Sequence, residues 1–224
     1  MDKVDLVARD GGHVYMETNF NHFVVEPYNA MSALLFFAMG AFWFWKLRGQ
    51  YEQFKFLTWA TVFLTIGAIG GTVYHAFRMH AFFMYMDWLP ILILCFMTSV
   101  YFIDKLLGSW LYALGVVAGG VLVQGLLFSF IKYPFAVSLS YAFMGVLVLA
   151  PTVALLVKRG FARWWFILYA LGGFSLALFF RIADHWQILP MGTHFLWHLF
   201  GALAGNYMFL FIYHLNKDEI KNPC

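Results

Sequence analysis

Charged side chains are scarce in this 224-residue chain, since Asp, Glu, Lys and Arg make up 11% of it and hydrophobic residues 63%. Too little polar surface remains to cover a water-soluble domain of this size, which excludes that class. Cysteine is also scarce, and because Cys95 lies within an apolar run and Cys224 is the last residue, we expect no structural disulfide. Residues 1–26 lack the apolar core of a cleavable signal peptide, so we expect the first apolar segment to direct membrane insertion.

Long apolar runs dominate what is present. A membrane-spanning helix needs ~20 mostly apolar residues, and seven segments qualify: about 27–47, 54–77, 83–104, 108–132, 134–158, 162–187 and 192–215. Runs of this length without alternation predict helices rather than barrel strands. We therefore predict an all-α, multi-pass integral membrane protein, with a seven-transmembrane helix bundle at 27–215 between an extracytoplasmic segment at 1–26 and a cytoplasmic tail at 216–224.

Lysine and arginine are unevenly distributed between the two predicted sides of this bundle. One side carries Lys46, Arg48, Lys55, Lys105, Lys158, Arg159, Arg163, Lys217 and Lys221, and the other carries Lys3, Arg9, Arg78, Lys132 and Arg181. Cytoplasmic loops carry the excess of positive charge, so this pattern predicts an amino terminus outside and a carboxyl terminus in the cytoplasm.

A few ionisable side chains interrupt the apolar segments, and burial in a bilayer makes each of them a candidate site residue. On the predicted topology they share one membrane depth, because spans 2 and 6 end, and spans 3 and 7 begin, on the same side. They are His75, Asp87, Arg181, Asp184, His185, His194 and His198. An ordinary ion pair within one helix would also explain Arg181 and Asp184.

The two histidines of "HFLWH" are the clearest chemical signal. His194 and His198 lie one helical turn apart on one face, a spacing that lets two imidazoles reach one ion. With His75 as third ligand, the set matches a catalytic zinc centre that keeps an open position. Asp87 would then act as base or as hydrogen-bond partner of a ligand. Polar packing or axial ligation of a haem are the alternatives.

Small residues accompany these histidines. Gly67 and Gly71 precede His75 in span 2, and Gly201 and Gly205 follow the histidine pair in span 7. Small residues four apart allow helices to approach closely in membranes. The pattern predicts that spans 2 and 7 pack together on their histidine-bearing faces.

Four stretches in this order resemble the alkaline ceramidases. They are "ETNFNHFVVEPYNAMS", "GGTVYHAFRMHAFFMYMDWLP", "RIADHW" and "HFLWHLFGALAGNY". That family belongs to a superfamily of seven-span zinc hydrolases, which also includes the adiponectin-receptor-like proteins and proteins that remodel the lipid of GPI anchors. The resemblance extends through most of the chain.

Carried onto this sequence, the resemblance implies zinc bound by His75, His194 and His198, with Asp87 beside the reactive water. It also implies a possible calcium site formed by Glu17, Asn19 and Glu26, and oxygen ligands of this kind suit calcium. The family usually has a serine four residues before its first histidine. Gly71 stands there in this chain, and the neighbouring Thr72 is the candidate catalytic hydroxyl in its place.

The expected function is a zinc-dependent intramembrane lipid amide hydrolase, which cleaves the N-acyl bond of ceramide or a related acyl-amide lipid. A zinc-dependent lipid esterase or phospholipase and a non-catalytic, receptor-like metal-binding protein are the alternatives. A transporter is least favoured, since paired broken helices are not apparent. The expected partners are the lipid bilayer and a membrane lipid substrate, not nucleic acid.

Overall fold

The computed structural model describes residues 10–131 and 135–221. The described chain forms seven α-helices and one short 3₁₀ turn, Ala183–Trp186, between the last two helices. The helices are α1 (Pro27–Lys46), α2 (Lys55–Phe77), α3 (Ala81–Leu107), α4 (Trp110–Phe128), α5 (Phe135–Lys158), α6 (Trp164–Ile182) and α7 (His194–Lys221). The prediction of an all-α fold is confirmed for the described residues.

Six of these helices are long and apolar enough to cross a membrane, and α4 is the exception. The fourth predicted span reached residue 132, whereas α4 ends at Phe128. Glycines at positions 115, 119, 120 and 125 lower its helix propensity. At its end the Ser129 hydroxyl donates to the Leu126 carbonyl (2.7 Å), which competes with continuation of the helix. The last helix, by contrast, continues past the predicted span end at residue 215 to Lys221.

Large apolar side chains cover much of the outer surface of the bundle. Trp59, Leu122 and Val146, for example, are each about 60–70% exposed. Exposed apolar surface on this scale is typical of a protein that meets lipid rather than water. The exposed surface therefore agrees with the hydropathy of the six long helices.

The apolar core fills the half of the bundle near the carboxyl ends of α1, α3, α5 and α7. It is built around Trp43, Phe102, Leu155 and Ile212, all almost fully buried. Acidic residues near the end of α7 form ion pairs at this same end, Glu219 with Lys105 and Arg159, and Asp218 with Arg163. The buried histidines lie in the other half, so packing and candidate chemistry occupy different ends of the molecule.

The turn between α2 and α3 brings the second and third helices into close contact. Arg78 ends α2 in a left-handed conformation (φ 49°), and the His80 side chain caps α3 by accepting from the Phe82 amide. A Cβ at Gly70 would lie 2.5 Å from the Met86 carbonyl carbon, so glycine is required at this crossing.

The glycine-bearing faces of α2 and α7 were predicted to pack against each other, but they contact other helices. A Cβ at Gly67 would meet Pro90 of α3, and one at Gly71 would meet Asp87 of α3. On α7, Gly201 and Gly205 face Phe36 and Met39 of α1. Close approach through glycine therefore joins α2 to α3 and α7 to α1, rather than α2 to α7, because α3 and α1 occupy the two faces.

Candidate metal centre

Three buried histidines from two helices meet at one point. His75 stands near the end of α2, and His194 and His198 stand on the first turns of α7. Each offers a ring nitrogen, and the three nitrogens lie within 4.8 Å of one another. Their exposed fractions are 0%, 2% and 3%. The structure thus brings together the three residues that the sequence analysis selected, in an arrangement that could hold a metal ion.

Glu26 orients His75. Its Oε2 lies 2.5 Å from His75 Nδ1, and both side chains are fully buried. A proton on Nδ1 donates to this carboxylate, which leaves the Nε2 lone pair directed at the other histidines. His75 Nε2 is buried and has no hydrogen-bond partner. A buried acceptor without a donor is costly, and a metal ion would satisfy it.

Two residues of α1 orient His198 in the same way. Its Nδ1 lies 2.8 Å from the Ser32 hydroxyl and 3.2 Å from the Asn29 carbonyl oxygen. Donation from Nδ1 to the Asn29 carbonyl leaves Nε2 as the nitrogen that can bind an ion. Both α2 and α7 therefore present a histidine whose second nitrogen is fixed by a neighbouring element.

His194 is held by contacts to its ring and to its backbone. The Tyr15 ring stacks on its imidazole with centroids 3.8 Å apart, and His194 Nδ1 is buried without a hydrogen-bond partner. Asp184 caps the start of α7, because its Oδ1 accepts from the amides of Thr193 (2.8 Å) and His194 (2.9 Å). Its Oδ2 accepts from the Met16 amide (2.9 Å). Asp184 therefore fixes both α7 and the amino-terminal segment.

Asp87 lies beside the triad. Its Oδ2 is 3.9 Å from His75 Nε2, and 25% of its side chain is exposed. A Cβ at Gly71 would be only 2.3 Å from Asp87 Oδ1, so the carboxylate occupies the space that a side chain at position 71 would need. Glycine at this position is what admits Asp87 to the centre.

Arg78 connects the amino-terminal segment to the centre. Its Nε and Nη2 donate to the two Asp10 oxygens (2.7 and 2.9 Å), and its Nη1 donates to the His13 carbonyl (2.9 Å) and to Glu26 Oε1. Its guanidinium also lies over the Tyr74 ring, 4.6 Å from the centroid. The residue is 5% exposed, so these charges are shielded from water.

These contacts shift the pKa values of the charged groups outside the spans. Burial raises the pKa of Glu26, but its hydrogen bond with His75 and the charge of Arg78 outweigh burial and hold that pKa below its usual value. Burial also acts against the charge of Asp10, yet hydrogen bonds from Arg78 and the Gly12 amide lower its pKa. Both carboxylates are therefore ionised at neutral pH.

The residues implied for calcium have other partners. Glu17 accepts from the first amides of α1, those of Tyr28 (2.9 Å) and Asn29 (2.6 Å). Asn19 Oδ1 accepts from the Asn21 amide. Glu26 is engaged by His75, Arg78 and the Thr18 hydroxyl. Protein donors engage these oxygens, and the calcium site stays a prediction.

Thr72, the candidate catalytic hydroxyl, donates to the Ala68 carbonyl of its own helix (2.8 Å). This bond within α2 uses the proton that a catalytic hydroxyl would offer. The structure thus groups His75, His194, His198 and Asp87 with Glu26, and does not bring Thr72, Glu17 or Asn19 into contact with the histidines.

Sequence reasoning missed several residues that support the centre: Tyr15, Asn29, Ser32, Arg78 and the capping role of Asp184. A signal existed for two of them. Glu26, Asn29 and Ser32 recur every three residues at the start of an apolar helix, a spacing that places them on one face. All three contact a histidine of the triad.

Comparison with known proteins adds no family assignment. A scan against protein-family models finds no match, and a search of curated proteins finds no significant one. The functional conclusion therefore depends on the geometry of the centre and on the resemblance of its motifs.

Proposed function

We propose that this protein is a zinc-dependent intramembrane lipid amide hydrolase that cleaves the N-acyl bond of ceramide or a related acyl-amide lipid. One observation carries the proposal: three buried histidine nitrogens within 4.8 Å of one another, with a carboxylate 3.9 Å from one of them. A purely structural histidine cluster would not need an acid or base beside it. The combination is typical of hydrolytic metal centres.

Zinc suits the donor set. Neutral imidazoles bind zinc readily, and three of them leave a position for water or substrate. The orphaned nitrogens of His75 and His194, together with the fixed tautomer of His75, meet the requirement that ligands be deprotonated and oriented. When bound there, zinc supplies Lewis acidity that polarises a carbonyl and acidifies water.

Asp87 handles the proton. Its Oδ2 accepts a proton from the attacking water and returns it to the leaving amine nitrogen, which cannot depart as an anion. Glu26 holds His75 in place during this exchange, and Ser32 and Asn29 hold His198. Tyr15 covers His194 and limits the access of bulk water to the centre.

The surroundings of the centre support a lipid substrate. The centre lies among helices that are long and apolar enough to span a membrane, and an acyl-chain substrate resides in the same apolar medium. On the lysine and arginine distribution, we further propose seven spans with the amino terminus outside, and a centre near the outer leaflet.

The test is hydrolysis by the purified, zinc-loaded protein of a panel of acyl-amide lipids and the corresponding esters, with Asp87→Asn as the decisive variant. We expect amide cleavage by the wild type and a loss of about 10²–10⁴-fold in the variant, with zinc content unchanged. Turnover of esters alone would favour the esterase alternative. Wild-type turnover in Asp87→Asn would refute the proton-transfer role.

A further inference from the structure

Arg181 is a cation near the end of α6 that the proposed reaction does not use. Its guanidinium packs against a pair of aromatic rings that contact each other, 4.7 Å from the centroid of Tyr141 on α5 and 5.4 Å from that of Trp197 on α7. These cation–π contacts fix the position of the charge at this end of α6.

The guanidinium lacks a matching anion. Arg181 Nε is buried with no hydrogen-bond partner, and no carboxylate in the described chain comes within 4.0 Å of a side-chain nitrogen of this residue. Asp184, the partner that sequence suggested, bonds instead to the amides of Thr193, His194 and Met16. The Tyr15 side chain is a hydrogen-bond partner of Arg181 and compensates part of this cation. A cation in an apolar span is costly unless it is fully compensated, so the unpaired Nε indicates a ligand.

This cation belongs to the same region as the triad. Trp197, whose ring contacts the Arg181 guanidinium, directly precedes His198. The electrostatic partners of Arg181 include Asp87 and Tyr15. Tyr15 also stacks on His194. Asp87 remains 25% exposed despite its place in a spanning helix, so its carboxylate is not sealed within the protein. A group held by Arg181 would therefore lie next to the metal centre.

We propose that Arg181 binds the carboxylate of a long-chain fatty acid, the acyl product of the reaction. This inference rests on the proposed function for its ligand. Hydrolysis breaks the C–N bond of the amide and forms a C–O bond from water, and both water protons end on the amine nitrogen, which leaves as an ammonium. The acyl carbon thus becomes a carboxylate, an anion that appears only after cleavage and matches the planar fork of arginine.

The same chemistry would suit the phosphate of a lipid headgroup. A long-chain alkyl phosphate and a fatty acid of equal chain length separate these two sources, and the corresponding fatty alcohol reports binding by the chain alone. Equilibrium binding to the purified, zinc-loaded protein in nanodiscs measures all three probes without any need for turnover.

The expected result is that the wild type binds the fatty acid at least about 10-fold more tightly than the alcohol, and that Arg181→Gln binds both equally. Arg181→Lys keeps the charge but loses the fork, and we expect it to recover part of the preference. Arg163→Gln is the matched control, because Arg163 lies at the opposite end of α6 and pairs with Asp218. Zinc content and melting temperature verify that each variant folds.

Three outcomes overturn the inference: no preference of the wild type for the fatty acid, an unchanged preference in folded Arg181→Gln, or tighter binding of the alkyl phosphate. The same experiments distinguish failure of the proposed activity from failure of this inference. Arg181-dependent binding by a protein that hydrolyses nothing refutes the activity alone, whereas amide turnover with unchanged fatty acid binding in Arg181→Gln refutes this inference alone.

Discussion

Replacing Gly71 with alanine or serine tests the link between helix packing and chemistry. The resemblance to enzymes that carry serine at this position would favour a gain of function for Gly71→Ser. The structure favours a loss, because any Cβ there would stand 2.3 Å from Asp87 Oδ1 and 3.3 Å from Asp87 Cγ. Both substitutions add that Cβ, so we expect them to behave alike.

The size of the effect follows from these distances. Since ordinary contacts begin near 3.4 Å, the carboxylate has to retreat by roughly 1 Å. It is the end of a flexible side chain, so it moves while α2 and α3 stay packed. A displacement of ~1 Å at a catalytic group costs on the order of 100-fold in rate. Stability is preserved, because alanine is favoured over glycine in a helix by up to ~1 kcal/mol.

The assay is kcat for the best lipid amide, measured beside zinc content and melting temperature. Gly67→Ala is the matched control, since it lies one turn away on the same face and its Cβ would make ordinary contacts of 3.5 Å with Pro90 and 3.6 Å with the Asp87 carbonyl. We expect a large fall in kcat for Gly71→Ala and Gly71→Ser only. Wild-type turnover in both position 71 variants would refute the placement of Asp87.

Two further predictions concern the support of the centre. Glu26→Gln removes the charge that orients His75 and should weaken zinc binding by about 10–100-fold in chelator competition. Glu52→Gln, at an exposed glutamate, is the control and should leave zinc affinity unchanged. Equal zinc affinities of the two variants would contradict the orienting role of Glu26. The Asp10 pKa lies below its usual value, so its ion pair with Arg78 contributes full stability above the unfolded-state pKa and loses it as pH falls through the lower folded value. The hydrogen-exchange protection factors of residues 10–26, which correct for the intrinsic pH dependence of exchange, should therefore fall in acid. This loss of protection should be absent in Asp10→Asn, and a loss that persists there would contradict the prediction.

Hydropathy alone predicted most of the fold. Six apolar runs became helices long enough to span a membrane, because backbone groups in an apolar run are satisfied most simply within one helix. The length of the fourth helix was overestimated, since Phe130 and Ile131 continue the apolar run beyond the end of α4 at Phe128. Which helices contact each other was not predictable, because a glycine face allows any helix to approach closely. Gly71, for example, faces Asp87 of α3.

The histidine centre was predictable because its signals are local or few. The spacing of His194 and His198 is fixed by helical geometry, and buried ionisable groups in spans are rare. The partners of these ligands were not predictable. Glu26 reaches His75 only because the amino-terminal segment folds over the end of α2, where the Glu26 amide donates to the His75 carbonyl (3.1 Å). That segment has no periodic pattern from which its path could be read.

The most direct test of the central claim is the metal content of the purified protein, measured by elemental mass spectrometry for the wild type, His198→Ala and the control His22→Ala, an exposed histidine. The account predicts about one zinc per chain in the wild type and in the control, and loss of that zinc in folded His198→Ala. Absence of zinc from wild-type protein purified without chelators, or full zinc content in His198→Ala, would contradict it.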